Sequence, residues 1–191
     1  MLQGGSMTKN VIVFIMMSLF IFAPHSRAGV LLEPYLGFSI GSGDAGSTDF
    51  SYSTPTIGAR AGYQTFGLMF GLDYGMQSGF NVKTTTSNVE TKADYSRNLL
   101  GLFVGYELPI LLRAWGTYYV SGTLEADNST REYGDLSGYS LGVGFTGLPF
   151  VSLNAEYRLF DYGETTLSGA TSNSSLSISE ILLSVSLPFN L

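Results

Sequence analysis

The chain contains no cysteine, and its single histidine, His25, falls within the first 28 of 191 residues. The missing thiols exclude a disulfide scaffold, thiolate zinc sites and iron–sulfur clusters. Charged residues make up only 13% of the chain, about half the ~25% usual for soluble domains and too few for a disordered segment. Bases are the scarcer sign, nine against fifteen acids, and the pI of about 4.6 argues against nucleic acid as a partner. Long hydrophobic runs are missing too. The one apolar stretch, residues 11–22, is too short to cross a bilayer as a helix. What is abundant is glycine, 24 residues, and aromatic side chains, 14%, in a chain that is 45% hydrophobic with a mean hydropathy of +0.21. That hydrophobicity must be distributed rather than concentrated.

The N-terminal run reads as an address. Lys9, the apolar stretch 11–22 and then Ala23-Pro24-His25-Ser26-Arg27-Ala28 follow the order of a secretory signal peptide. Ser26 and Ala28 meet the small-x-small requirement, so cleavage is predicted after Ala28, with Met7 as an alternative start. The chain divides into a signal peptide, 1–28, and a barrel-forming remainder, 29–191. The remainder keeps seven bases against fifteen acids and no histidine.

Residues 29–191 alternate with period two in eight segments: 32–40, 56–64, 66–77, 96–107, 111–124, 137–146, 150–160 and 176–189. Such alternation marks strands with two different faces. Leu176 and Ile178 fall out of phase with the rest of the last segment, and a bulge near Ser179 would restore it. In the fifth segment Ser121 is assigned to the polar face. Connections 42–54, 78–94, 125–136 and 161–175 are long and polar, whereas those at Thr65, 108–110 and 147–149 are short. An even strand count with this asymmetry predicts an all-β fold, an eight-stranded antiparallel up-and-down transmembrane β-barrel with periplasmic short turns and termini.

The chemistry of the two faces fixes which looks outward. One carries Leu, Val, Ile, Ala, Phe and Tyr and no charge. The other carries Glu33, Arg60, Asp73, Arg97, Glu107, Arg113, Glu156, Arg158 and Glu180. This second face is rich in glycine, serine and arginine but has no lysine, which makes it a poor solvated surface; Lys83 and Lys92 both lie in the second long connection. The apolar series of every even strand ends on an aromatic at the short-turn side, Tyr63, Tyr106, Phe145 and Phe189, as one rim of an aromatic girdle would. The apolar face is therefore assigned to lipid and the charged face to the lumen.

An eight-stranded lumen is just wide enough for side chains to fill, and charges buried in it must pair. Three groups are expected by height: Glu33, Glu107 and Arg113 near the short turns; Arg60, Glu156 and Arg158 midway; Asp73, Arg97 and Glu180 toward the long connections. Inward Tyr35, Met69, Phe103, Trp115, Tyr119 and Phe160 would occupy the volume left by glycines. If the lumen held a ligand instead, Tyr35, Trp115 and Tyr119 would be its first contacts. General-base and nucleophile-activating roles most often fall to histidine, so no catalytic residue is assigned and no enzyme is expected. No cofactor and no metal site is expected, since no acidic spacing matches a calcium loop. Two GxGxxG matches, 41–46 and 142–147, lack the following helix that dinucleotide binding needs.

The segment Asn154-Ala155-Glu156-Tyr157-Arg158-Leu159-Phe160-Asp161-Tyr162 and the terminal Leu183-Ser184-Val185-Ser186-Leu187-Pro188-Phe189-Asn190-Leu191, with the signal peptide and the eight-strand pattern, resemble the small outer-membrane β-barrels of the OmpA, OmpX and OmpW type across 29–191. The resemblance implies residence in a Gram-negative outer membrane, among its lipid and lipopolysaccharide. It implies recognition of the C-terminal strand by barrel-insertion machinery, with Phe189 standing in for the terminal aromatic of that family. The expected product is a monomer without a further domain, a structural barrel with a side-chain-filled polar lumen and loops open to surfaces or partners. The alternative is a narrow, porin-like OmpW type of channel for small or apolar solutes.

Overall fold

In a computed structural model of the protein, the structure describes residues 28–45, 48–79, 82–86, 89–93, 95–126 and 130–191. The expected signal peptide, Ala28 apart, lies outside them. In chain order the strands are β1 (Gly29–Ala45), β2 (Thr48–Thr65), β3 (Leu68–Ser78), β4 (Val82–Thr86), β5 (Val89–Ala93), β6 (Tyr95–Leu108), β7 (Leu112–Ala126), β8 (Arg131–Phe145), β9 (Ser152–Leu167), β10 (Ala170–Ser186) and β11 (Phe189–Asn190). Eight of them, β1, β2, β3, β6, β7, β8, β9 and β10, pair antiparallel with their neighbours, and β1 bonds both β2 and β10 to close the barrel. β4 and β5 form a hairpin that leans on the upper end of β2, and β11 extends the foot of β1. Closure leaves no barrel strand with a free edge, which is what lets a sheet enter hydrocarbon with its backbone satisfied.

The expected strand count and faces hold, but the strands run further than the alternation does. Most of the four polar connections is strand: β1 and β2 continue to Ala45 and Thr48, and β9 and β10 meet across only Ser168 and Gly169. Beyond the apolar band the outward positions turn polar, so the contrast between the faces is lost while the backbone pairing continues. The expected bulge at Ser179 is absent. Pairing runs unbroken from Leu176 to Ser186, and the irregularity lies between Asn173 and Leu176. Leu176 and Ile178 stay in phase and point inward because the lumen is apolar at that height, beside Tyr52, Phe160 and Tyr162. A bulge does occur in β7, where Leu100 pairs with Ser121 and Gly101 with Tyr119, leaving Val120 as the extra residue. Ser121, expected inward, is therefore exposed, and Leu124 turns into the lumen.

The outward series of β1, Val30, Leu32, Pro34, Leu36, Phe38 and Ile40, is exposed throughout. At ~3.3 Å per residue and a tilt near 40°, those positions cover about 25 Å of height, the apolar band of a membrane barrel. Above it the outward positions turn polar at Ser42, Ser53, Ser78, Asn98, Ser121, Ser137 and Asp161. At the short-turn side Tyr63, Tyr106, Phe145 and Phe189 all project from the wall.

Leu102→Arg or Val143→Arg, in the middle of the band, is expected to cost about 2–4 kcal/mol. Ser137→Arg, on the polar rim, is expected to cost about 0–1 kcal/mol. Urea unfolding of the variants in lipid vesicles measures this; equal costs at the two heights would contradict the inside-out assignment.

Candidate functional site: the lumen

The inward positions carry a continuous column of alternating charge. At its foot the Arg113 guanidinium clasps Glu33 with two nitrogens, Nη1 donating to Oε2 at 2.8 Å and Nη2 to Oε1. Nη2 also donates to Asn154 Oδ1 at 2.8 Å and Ser186 Oγ at 3.0 Å. Glu33 reaches Arg60 at 3.7 Å. Arg60 is the hub: Nε donates to Asp73 Oδ2 at 3.1 Å and Nη2 to Glu156 Oε2 at 2.7 Å. Glu156 continues to Arg158 Nε at 2.7 Å, and Arg158 Nη1 continues to Glu180 Oε1 at 3.4 Å. Glu180 ends the column by accepting from Arg97 Nη2.

Four arginines and four carboxylates thus alternate through the barrel, each at most 3% exposed. The choice of arginine follows from its planar fork, which serves several carboxylates at once where an ammonium is a single point charge. The aromatic residues complete the coordination. Tyr35 donates to Asp73 at 3.0 Å, and Trp115 Nε1 and Tyr119 each donate to Glu156 at 3.1 Å. The Arg60 guanidinium lies 4.4 Å from the Trp115 ring centroid and 5.0 Å from that of Tyr35, within cation–π range. Glycine makes the room: a Cβ on Gly142 would fall inside the Trp115 indole.

These positions regroup the residues expected from sequence. Glu33 and Arg113 meet as expected, as do Arg60, Glu156 and Arg158, and Arg97 and Glu180. Asp73 joins Arg60 in the middle rather than Arg97 above. Glu107, the fifth inward acid, has no arginine in ion-pair reach among the described residues; it accepts from Gln64 Nε2 at 2.6 Å beside a cavity of about 310 Å³ at the short-turn mouth. The polar tips of Tyr35, Trp115 and Tyr119, the candidate ligand contacts, are engaged by the column's carboxylates.

Sequence reasoning did not give roles to several residues that finish the network. Gln77 donates to Glu180 at 3.1 Å and accepts from Arg97 Nε at 2.7 Å. Tyr52 donates to Glu180 at 2.6 Å. Gln77 had the inward parity that marks it, whereas Tyr52 lay in a segment read as loop. Around and above Arg97 and Glu180 the lumen is apolar, filled by Tyr52, Leu99, Tyr119, Leu124, Leu136, Phe160, Tyr162, Leu176 and Ile178. Leu31, Met69 and Phe103 form a smaller apolar cluster toward the short turns.

Removing one member of so buried an array leaves its partners uncompensated. Arg60→Met is expected to destabilise the barrel by about 3–5 kcal/mol, and Arg60→Lys to recover only part of that. Unfolding in vesicles checks it; a neutral Arg60→Met would show that the column contributes nothing to stability.

The model of a family described as the outer membrane protein beta-barrel domain matches residues 12–189. No curated protein sequence matches the chain. Among solved structures, Neisserial surface protein A superposes with a TM-score of 0.56 at 18% identity, over 85% of this chain and 99% of that one. OprG from Pseudomonas aeruginosa gives 0.53 at 12% identity, over 86% and 98%. Ail of Yersinia pestis, in complex with the heparin analogue sucrose octasulfate, gives 0.53 at 9% identity, over 84% and 99%. At such identities the likeness is one of fold. The closed eight-strand wall, its lipid-facing apolar band and the family match over nearly the whole length converge: the chain belongs to the outer membrane protein beta-barrel domain family and resides in the bacterial outer membrane.

Proposed function

We propose that the protein is a plugged, monomeric structural barrel, exported by its N-terminal signal and inserted through its C-terminal strand, whose work is done at its outer hairpins against lipopolysaccharide or surface partners. The observation that carries this reading is the charge column: four arginines and four carboxylates neutralise one another at full burial, flanked by apolar clusters on both sides. An ion crossing the lumen would have to break those pairs. The absence of histidine from 29–191 and the engagement of the column's carboxylates by arginines support a non-enzymatic role.

Ail was solved with a sulfated sugar analogue. A polyanion suits this chain less well, because its outer segments carry ten acids, Asp44, Asp49, Glu90, Asp94, Glu125, Asp127, Glu132, Asp135, Asp161 and Glu164, against Arg131 and two lysines. A neutral or cationic partner fits that balance better.

A second reading, passage of small apolar solutes, draws on the nine-residue apolar cluster in the outer half of the lumen. Beside it the β7–β8 pairing lapses between Tyr119↔Gly138 and Leu124↔Tyr133.

Purified protein in planar bilayers separates the two. The plugged reading expects no steady unitary current and no faster uptake of an apolar dye by vesicles containing it. Steady unitary currents would overturn it, and dye uptake without current would favour the second reading.

A further inference from the structure

Three large apolar residues adopt a backbone conformation that large residues avoid, and all three lie at the tips of the short turns. Phe66 has φ 48°, Leu111 φ 60° and Phe150 φ 68°, in the left-handed region where a Cβ crowds the backbone. Phe66 and Gly67 form a two-residue hairpin loop with both φ positive, a geometry that favours Asn-Gly. The opposite rim supplies an internal control. Ser168 and Gly169 build the same loop with φ 52° and 85°, against 48° and 82° for Phe66 and Gly67. The turn geometry therefore does not ask for phenylalanine. Leu111 and Phe150 end longer turns at the left-handed position that glycine usually takes. Contacts within the chain do not offset the strain, since Phe66 is 86% and Phe150 90% exposed, and Leu111 is exposed as well.

We propose that these tips, together with Leu191, form a ring of anchors in the headgroup boundary of the periplasmic phospholipid leaflet. The ring rests on the membrane placement of the barrel and goes beyond the role of its lumen. The three tips follow β2, β6 and β8, and Leu191, at the end of β11 against the foot of β1, completes the circuit between β10 and β1, so they surround the barrel rather than mark one side. A leaflet meets all four quadrants at once, whereas a single protein partner would be met by a patch. The three turn tips carry no charge: the ionisable side chains nearest them, Glu107 and Arg113, turn into the lumen toward Gln64 and Glu33. The ring is also continuous with the lipid-facing band, because Tyr63, Tyr106 and Phe145 project from the same wall a few residues away. Apolar and aromatic side chains at that depth gain from leaving water while their backbone stays hydrated. Bound lipid would stabilise the strained turns.

Phe66→Trp and Phe150→Trp, each in the full chain refolded into phosphatidylcholine vesicles, test the placement with lipids brominated at successive acyl positions. Trp115, buried in the lumen, supplies a background measured on the unsubstituted protein. The expected result is quenching strongest for bromines nearest the headgroup. Quenching by aqueous iodide with none by brominated lipid would overturn the proposal and favour a periplasmic partner. A sign test uses Phe150→Asn, which relieves the backbone strain. In vesicles its urea midpoint should fall, because lipid contact is lost. A midpoint raised by the substitution would mean that the ring stands in water, and would also overturn the proposal.

Discussion

A charge enclosed by eight strands must be neutralised where it stands, and the rest of this barrel is arranged around that requirement. Water cannot reach the lumen in quantity, so each guanidinium needs carboxylates and each carboxylate needs donors. Arg60 meets the requirement three times over, toward Glu33, Asp73 and Glu156. Its demand explains why Trp115 and Tyr35 stack around it and why Gly142 stands opposite the indole. The small inward residues are the space that the large ones need, and the hydroxyl and indole donors occupy carboxylate lone pairs that arginines leave over. Buried ion pairs of this kind are weak sources of net stability but strong constraints on arrangement, because any register that separated them would strand a charge. We infer that the column fixes strand register as much as it closes the lumen.

The outside of the barrel obeys a different rule at each end. At the long-hairpin rim the apolar band stops at a row of serines with Asn98 and Asp161, and the strands continue into water as ordinary two-sided hairpins. At the short-turn rim apolar side chains occupy the turn tips, Phe66, Leu111 and Phe150, on the same left-handed backbone that Ser168 adopts in an outer loop. On the proposed anchoring, this asymmetry would set the barrel's depth in the bilayer from one side.

Much of the wall was legible in the sequence because lipid-facing and lumen-facing residues alternate across the bilayer, with the phase shifted in β7 by the bulge at Val120. Glu33, Arg60, Asp73 and their partners announced themselves as charges on the glycine-rich parity. Legibility failed where the strands rise above the apolar band. From Asp49 to Ser53, and again from Asp161 to Ser172, the outward face is polar, the contrast that marks the lipid-crossing stretches is gone, and strands read as loops. Leu176 and Ile178 looked misphased because an apolar lumen was not anticipated above a charged one. The pairing of Asp73 with Arg60 rather than Arg97 depends on how far each strand is staggered against the next, which alternation does not encode. The strained turns were invisible for a simpler reason: Phe66, Leu111 and Phe150 are the wrong residues for the conformations they adopt.

The central claim is that the lumen is closed by mutually dependent charges rather than by independent side chains that happen to fit. A double-mutant cycle on Arg60→Met and Glu156→Gln, read by unfolding free energy in lipid vesicles, addresses it most directly. The account predicts strong coupling, with the double variant less destabilised than the sum of the singles by about 1–3 kcal/mol. Additive effects of the two substitutions would mean that the pair does not act as a unit, and would contradict the account.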